Sequence, residues 1–440
     1  MNNKTHPWLP SHSQTYINDL EAHFAAASHS ELEQTIHNLV TENDHIHNRQ
    51  SINLNPATNT MNPRAEKVMG SGLGPRPSLG YPGDKYEMGL EAIEKIEVLA
   101  DQLVRQVFNA QYAETRLASG SLANLYSFMA TTQPGDNIIV PPPAIGGHVT
   151  HHTAGAAGLY GLNIHFAPID PHLYTVNIEA LRELAQKVQP KLMTIGGSLN
   201  LHPHPVRQMR QIADEVGAYL HFDAAHLSGM IAGHAWPQPL EEGAHIMSFS
   251  TYKSLGGPPA GVVVTNELKL AQRLDKIAFP GLTANFDVAK TAALGITMLD
   301  WLAHGRDYAQ EMGRSAATLA SELQTHGIPV YTVQDTPTRS HQFAINATPY
   351  GGGQTLAKKL RRANLLTCGI GLPTPEVTGD LNGLRIGTPE VVRWGMTTAI
   401  MPEIATFFKR VLIDQESPEQ VGQDVTEFRQ QFTILHYIRP

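Results

Sequence analysis

Short apolar runs recur near residues 137–140, 162–168, 191–197, 218–223, 245–250 and 261–265, and they constrain this chain more than any other feature. Between several of them lie helical patterns, such as Ile178, Leu181, Leu184 and Val188 spaced turn by turn. Strands that alternate with helices predict an α/β fold with a mainly parallel sheet covered on both faces. Ligands in such folds bind at the carboxyl ends of the strands.

The remaining segments organise around that sheet. Residues 1–60 read as an N-terminal helical arm, with Leu32, Ile36, Leu39 and Val40 on one helical face. The Gly/Pro-rich stretch from Met69 to Gly83 is expected to be loop throughout. An amphipathic helix is expected over about 89–109, with Ile93, Ile96, Leu99, Leu103 and Val107 along one side. A helical stretch over about 287–325 leads out of this region. Beyond it, strands near 328–333, 341–346 and 383–387 and helices near 354–364 and 401–413 predict a smaller α/β domain. The expected division is an arm over 1–60, a large domain over 61–315 and a small C-terminal domain over 316–440.

Composition narrows the function class. A formal net charge of -8 argues against nucleic acid or an anionic membrane as the main partner. One cysteine, Cys368, excludes an internal disulfide and fits a reducing cytoplasm. The N-terminal residues lack the apolar core of a signal peptide, and no run approaches a membrane span, so a cytoplasmic enzyme is expected. Histidine is abundant, at 22 residues, but pairs such as His151-His152 and His202-Pro-His204 lack the spacing of familiar zinc sites. No metal is expected.

The chemistry concentrates at strand ends. Asp223 closes the run Ala218-Tyr-Leu-His-Phe-Asp223, and Lys253 follows the next run in the Ser/Thr-rich stretch Ser248-Phe-Ser-Thr-Tyr-Lys253. That pair is what a pyridoxal phosphate site needs: a lysine for the Schiff base and a carboxylate to keep the pyridine nitrogen protonated. Ser119, Gly120 and Ser121 precede a helical pattern and suit a phosphate cradle, or an ordinary helix cap. His148, after Gly146-Gly147, is placed to lie against a flat ring, although a lone histidine there is more often structural. His226, one turn after Asp223, offers a donor for a phenolic oxygen. Arg385, on a short strand of the small domain, suits a substrate carboxylate or a surface ion pair.

The ordered series Gly80-Tyr-Pro-Gly83, Ser119-Gly-Ser-Leu-Ala-Asn124, Gly146-Gly-His-Val-Thr-His151, Asp223-Ala-Ala-His226, Ser250-Thr-Tyr-Lys253, Phe279-Pro-Gly281 and Leu384-Arg-Ile-Gly-Thr-Pro389 resembles serine hydroxymethyltransferase. The likeness spans about residues 50–400. It implies the aspartate-aminotransferase type of fold, with a seven-stranded sheet, and a homodimer or higher homo-oligomer with sites at the subunit interface. By matched position, Lys253 is the implied Schiff-base lysine and Asp223 the pyridinium partner. His148 would stack on the ring and His226 would stand near its phenolic oxygen. Ser119, Gly120, Ser121 and Ser250 would serve the cofactor, and Arg385 and Tyr86 the substrate.

The departures from that pattern are selective. The family's Tyr-Ala-Glu-Gly-Tyr-Pro-Gly reads here Pro77-Ser-Leu-Gly-Tyr-Pro-Gly83, so the glutamate tied to folate-dependent transfer is Leu79. Leucine cannot move a proton. The histidine before the lysine is Tyr252, and the Gly-Gly pair after Phe-Pro-Gly is Ala284-Asn285. What activates an amino acid is kept, and what handles tetrahydrofolate is mostly replaced. The expected reaction is therefore cleavage or condensation at Cα–Cβ of a small or β-hydroxy amino acid, of aldolase or transaldolase type, without folate. With the glutamate gone, the β-hydroxyl proton would pass to His148, Tyr252 or water. A folate-using hydroxymethyltransferase and an aminotransferase or racemase on the same fold stay as alternatives.

Overall fold

A computed structural model describes residues 6–440, which divide into two units, one ending at Ser51 and one spanning Ile52–Pro440. The first unit holds α1 (Ser11–Ala25) and α2 (His29–His45). A capping box starts α2: Ser28 accepts from the Glu31 amide while Glu31 accepts from the Ser28 amide. Neither helix has a buried residue, and Ile36, Leu39 and Val40 are all more than half exposed.

The second unit is built on seven strands: β1 (Tyr112–Leu117), β2 (Asn137–Val140), β3 (Asn163–Phe166), β4 (Leu192–Gly196), β5 (Tyr219–Asp223), β6 (Ile246–Ser250) and β7 (Gly261–Thr265). Their order in the sheet is β1-β7-β6-β5-β4-β2-β3, and only β7 runs antiparallel to its neighbours. Every residue of β4, β6 and β7 is buried, as expected where helices cover both faces. Six of the seven strands match apolar runs in the sequence. The strand β1 does not, because Glu114 and Arg116 interrupt it; they neutralise each other in an ion pair of 2.6 Å.

The helix α3 (Glu91–Phe108) buries Ile93, Leu103 and Val107 against the long helix α5 (Val288–Thr325), with α4 (Gly120–Thr131) between them in the chain. Leu99, expected on the buried side of α3, is 53% exposed. A second sheet is antiparallel and three-stranded, with β8 (Gln342–Asn346) and β9 (Cys368–Ile370) flanking β10 (Gly383–Gly387). Helices Gly353–Arg362 and Met401–Leu412 lie where the pattern put them.

Two expectations are corrected. The stretch 69–83 is not all loop: Gly80–Tyr81 pairs with Asp84–Lys85 in a hairpin whose turn uses Gly83 at φ 87°. The strand expected near 328–333 is reduced to two isolated bridges, Val330 to Ile345 and Val333 to Thr336, the first next to Pro329, which has no amide hydrogen for a ladder. No described helix is long and apolar enough to cross a membrane.

Candidate active site

Asp223 ends β5 and is 1% exposed. A carboxylate so buried needs hydrogen bonds. Its Oδ2 accepts from Asn124 Nδ2 at 3.0 Å and from His151 Nε2 at 2.8 Å, and its Oδ1 accepts from the Ala225 amide at 2.9 Å. Burial alone would raise the pKa of this carboxyl. The hydrogen bond from His151 and the surrounding imidazoles outweigh burial and hold it well below the ordinary carboxylate range. A carboxylate has about four lone-pair sites, so the contacts above leave Oδ1 able to accept one more donor.

Beyond β6 the chain turns through a loop that Thr251 closes, donating from Oγ1 to Ala260 O at 3.0 Å and accepting from the Gly257 amide at 2.7 Å. Ser254 fastens this loop to the segment after β5, donating to His226 O at 2.6 Å and accepting from the Gly229 amide at 3.0 Å. Lys253 therefore sits over the carboxyl edge of the sheet, 7% exposed.

Lys253 Nζ lies 3.1 Å from His226 Nε2, and Arg385 Nη1 lies 3.3 Å from the same nitrogen. Both cations donate, so Nε2 carries no hydrogen and the imidazole proton is on Nδ1, which is buried without a partner. Burial, then the charges of Lys253 and Arg385, push the His226 pKa far down, so this imidazole is neutral. Burial, with Arg385 adding to it, lowers the Lys253 ammonium to about 8. Arg385 comes from β10, opposite Ala344 and Cys368, so the second sheet delivers a guanidinium to the same His226 nitrogen that Lys253 meets. It donates to Ser198 O and to Cys368 Sγ, while its Nε is buried without a partner.

His148 follows a turn in which a Cβ on Gly147 would lie 2.0 Å from Pro141 O. Its Nδ1 faces the Thr150 hydroxyl at 2.9 Å and accepts from the Thr150 amide at 3.3 Å. Burial lowers its pKa to about 4, so it too is neutral. On the other side of the cluster α4 begins. Ser119 is its cap, accepting from the Leu122 amide at 3.2 Å, so the cap reading holds whatever else the segment binds. A Cβ on Gly120 would stand 2.1 Å from Ser250 Oγ, so the bare backbone here admits the Ser250 hydroxyl to the helix start.

The structure thus brings together Lys253, His226 and Arg385 by direct contact, with Asp223 and His148 joined to each other through Asn124 and Thr150. Ser119, Gly120 and Ser250 meet at the start of α4, which Ser121 also occupies. Two candidates stand apart. Tyr86 is 82% exposed, and Tyr252 is half-buried; neither makes a side-chain hydrogen bond to this cluster among the described residues. Four residues were missed: Asn124 and His151 on Asp223, and Ser198 and Cys368 on Arg385. The first two lie inside motifs already singled out, so their position in those motifs was an available signal. Nothing local marks the other two.

These residues fit pyridoxal phosphate. The lysine is buried without a carboxylate partner, the aspartate has an acceptor position to spare, and a helix of 12 residues starts against a hydroxyl that only glycine admits. The orphaned nitrogens of His226 and Arg385 add two donors. No described group of three or more His, Cys, Asp or Glu could hold a metal ion.

Comparison with known proteins gives four findings. Residues 30–408 match the family model described as serine hydroxymethyltransferase. The chain is 55% identical over 433 residues to an alpha-methylserine aldolase of a Ralstonia species, covering 98% of this chain and 99% of that one. It is 35% identical over 391 residues to the serine hydroxymethyltransferase of Methanocella arvoryzae, covering 88% and 92%. Among solved structures it is similar to the L-threonine transaldolase of Pseudomonas fluorescens, with a TM-score of 0.82 at 22% identity over 93% of this chain and 96% of that one.

Proposed function

The chain belongs to the serine hydroxymethyltransferase family and is a pyridoxal phosphate enzyme of aldol type, and from that premise we propose that it cleaves α-methylserine to alanine and formaldehyde without folate. The observation that carries this reading is the 55–56% identity, over 98% of the chain, to relatives named alpha-methylserine aldolase. Leu79 supports it, since no proton-moving group stands at that position.

When bound, pyridoxal phosphate supplies an aldehyde for the substrate amine and a ring that accepts the electron pair of the broken bond. The roles of the chain's own residues are proposed as follows. Arg385 holds the substrate carboxylate, with Nε as its free donor. Asp223, kept ionised, offers Oδ1 to the ring nitrogen. Neutral His226 stands between Lys253 and Arg385 and screens one cation from the other. Ser119, Gly120, Ser121 and Ser250 hold the phosphate. His148, with Nδ1 already occupied, presents an N–H from Nε2 and so acts as a donor. The β-hydroxyl proton then leaves to Lys253 Nζ or water, because an amine whose ammonium has a pKa of about 8 is partly neutral near that pH. Cα–Cβ cleavage releases formaldehyde, and a proton returned to Cα completes alanine.

The same reading includes the division into a cofactor-binding part over 61–315 and a smaller part over 316–440, a homodimer or higher homo-oligomer, and a cytoplasmic location. Tyr86, exposed in one chain, would then serve a site shared between subunits. The test is direct: holoenzyme with α-methylserine and no folate should release formaldehyde and alanine in equal amounts. Absence of cleavage, together with tetrahydrofolate-dependent transfer from serine, would favour the hydroxymethyltransferase reading instead. Solvent deuterium entering Cα without cleavage would favour a racemase or aminotransferase.

A further inference from the structure

We propose that Asn124 is a positioning residue that, beside His151, favours the ionised form of Asp223 and sets the tautomer of His148, so that one amide acts on both groups. The inference rests on the reading that Asp223 and His148 face the cofactor ring.

Asn124 is 3% exposed, and every polar atom of its side chain is engaged. Its Nδ2 donates to Asp223 Oδ2 at 3.0 Å and to Thr150 Oγ1 at 2.8 Å. Its Oδ1 accepts from Ser248 Oγ at 2.6 Å. A primary amide has two donor hydrogens, and both are used.

The direction of each bond follows from the one before it. An ionised carboxylate only accepts, so the amide nitrogen must face Asp223 and the amide cannot be reversed. Ser248 has one hydrogen and gives it to Asn124, so it accepts from His221 Nε2 at 2.7 Å. Thr150 Oγ1 accepts from Asn124 and directs its own hydrogen to His148 Nδ1 at 2.9 Å. His148 therefore carries its proton on Nε2. Thr150, Ser248 and His221 are each at most 5% exposed, so water does not compete for these bonds.

Two branches leave Asn124. One runs from His221 through Ser248 and the amide to Asp223, with every donor pointing toward the carboxylate. Donors arranged in series polarise one another and draw charge from the terminal acceptor. Asp223 thereby loses proton affinity, and a proton shared with a ring nitrogen stays on that nitrogen. The other branch fixes His148 as a donor.

The experiment uses holoenzyme loaded with pyridoxal phosphate labelled with nitrogen-15 in the ring, in protein labelled at histidine. In the wild type, nitrogen NMR should show a protonated ring nitrogen and His148 protonated on Nε2 alone, the signal being assigned by its loss in His148→Gln. Asn124→Leu should move the ring signal toward the unprotonated range and let His148 populate both tautomers. Ser248→Ala, which deletes one oxygen and leaves Asn124 in place, should produce a smaller ring shift of the same sign. The proposal is overturned by a wild-type His148 with its proton on Nδ1, or by loaded variants whose ring signal is unmoved. If Asn124→Leu does not fold, Ser248→Ala decides by itself. A wild-type chain that takes up no cofactor would instead refute the reading beneath, and the His148 tautomer of the apoprotein would still test the amide's role.

Discussion

Replacing Gly120 with alanine tests the helix-start cradle at its tightest point. A Cβ there would lie 2.1 Å from Ser250 Oγ, 3.2 Å from Ser250 Cβ and 3.5 Å from Ser250 Cα. Ser250 is 2% exposed, so its hydroxyl has little room to move, and rotating it would still leave the 3.2 Å approach. Alanine restricts the unfolded chain and by itself would stabilise by about 0.4–1 kcal/mol. Overpacking a buried contact costs about 1–3 kcal/mol. The clash should win, giving a net loss of about 1–2 kcal/mol. Urea unfolding of the apoprotein measures that loss, and a fluorescence titration with pyridoxal phosphate measures affinity, which should fall in parallel. Ser250→Ala in the Gly120→Ala background removes the atom at 2.1 Å and should restore more than half of the stability. The two sites are then strongly coupled in a double-mutant cycle. Wild-type stability and affinity in Gly120→Ala, or strict additivity in the double variant, would refute the argument.

Other predictions follow from the same cluster. Lys253→Ala should abolish the visible absorbance of bound cofactor; an unchanged spectrum would remove the lysine from its role. Arg385→Ala deletes a charged hydrogen bond worth about 1.5–3 kcal/mol, so kcat/KM for an amino acid should fall roughly 10- to 150-fold. Arg385→Lys should recover only part of this, because it keeps the charge and loses the fork. Apoprotein stability should rise with pH between about 8 and 10. In that window the folded Lys253, at about 8, has shed a proton that the unfolded lysine still binds, so unfolding takes up protons. Lys253→Met should flatten this rise in denaturation curves taken across the window, and an identical slope in both proteins would contradict the depressed ammonium.

Apolar runs were enough to locate six strands of the main sheet; in β2, β4, β5, β6 and β7 this is because a strand buried on both faces has nearly uniform composition, whereas β3 is an edge strand with no buried residue. The strand β1 escaped that logic, since Glu114 and Arg116 satisfy each other and Asp275 accepts a further bond from Arg116 Nη2 at 2.8 Å. The 80–85 hairpin escaped it because its two-residue strands carry no period to read.

Asp223 and Lys253 were legible for a related reason. Asp223 is the last residue of β5 and Lys253 lies in the loop just past β6, and the carboxyl edge of a parallel sheet is where such residues gather. Asn124 and His151 stand inside motifs the sequence already marks, but which groups meet on the carboxylate was not legible. Asn124 lies in an α-helix, His151 at the end of a short 3-10 helix and Ser248 within a strand, and only the fold makes them neighbours of one carboxylate. Likewise Cys368 meets Arg385 because β9 and β10 pair side by side in the second sheet. Sequence by itself determined which groups can do chemistry and at which strand ends they stand, since those follow from residue type and local periodicity. Tertiary structure decided their protonation, because burial and the direction of each hydrogen bond depend on atoms that the chain brings together from distant positions.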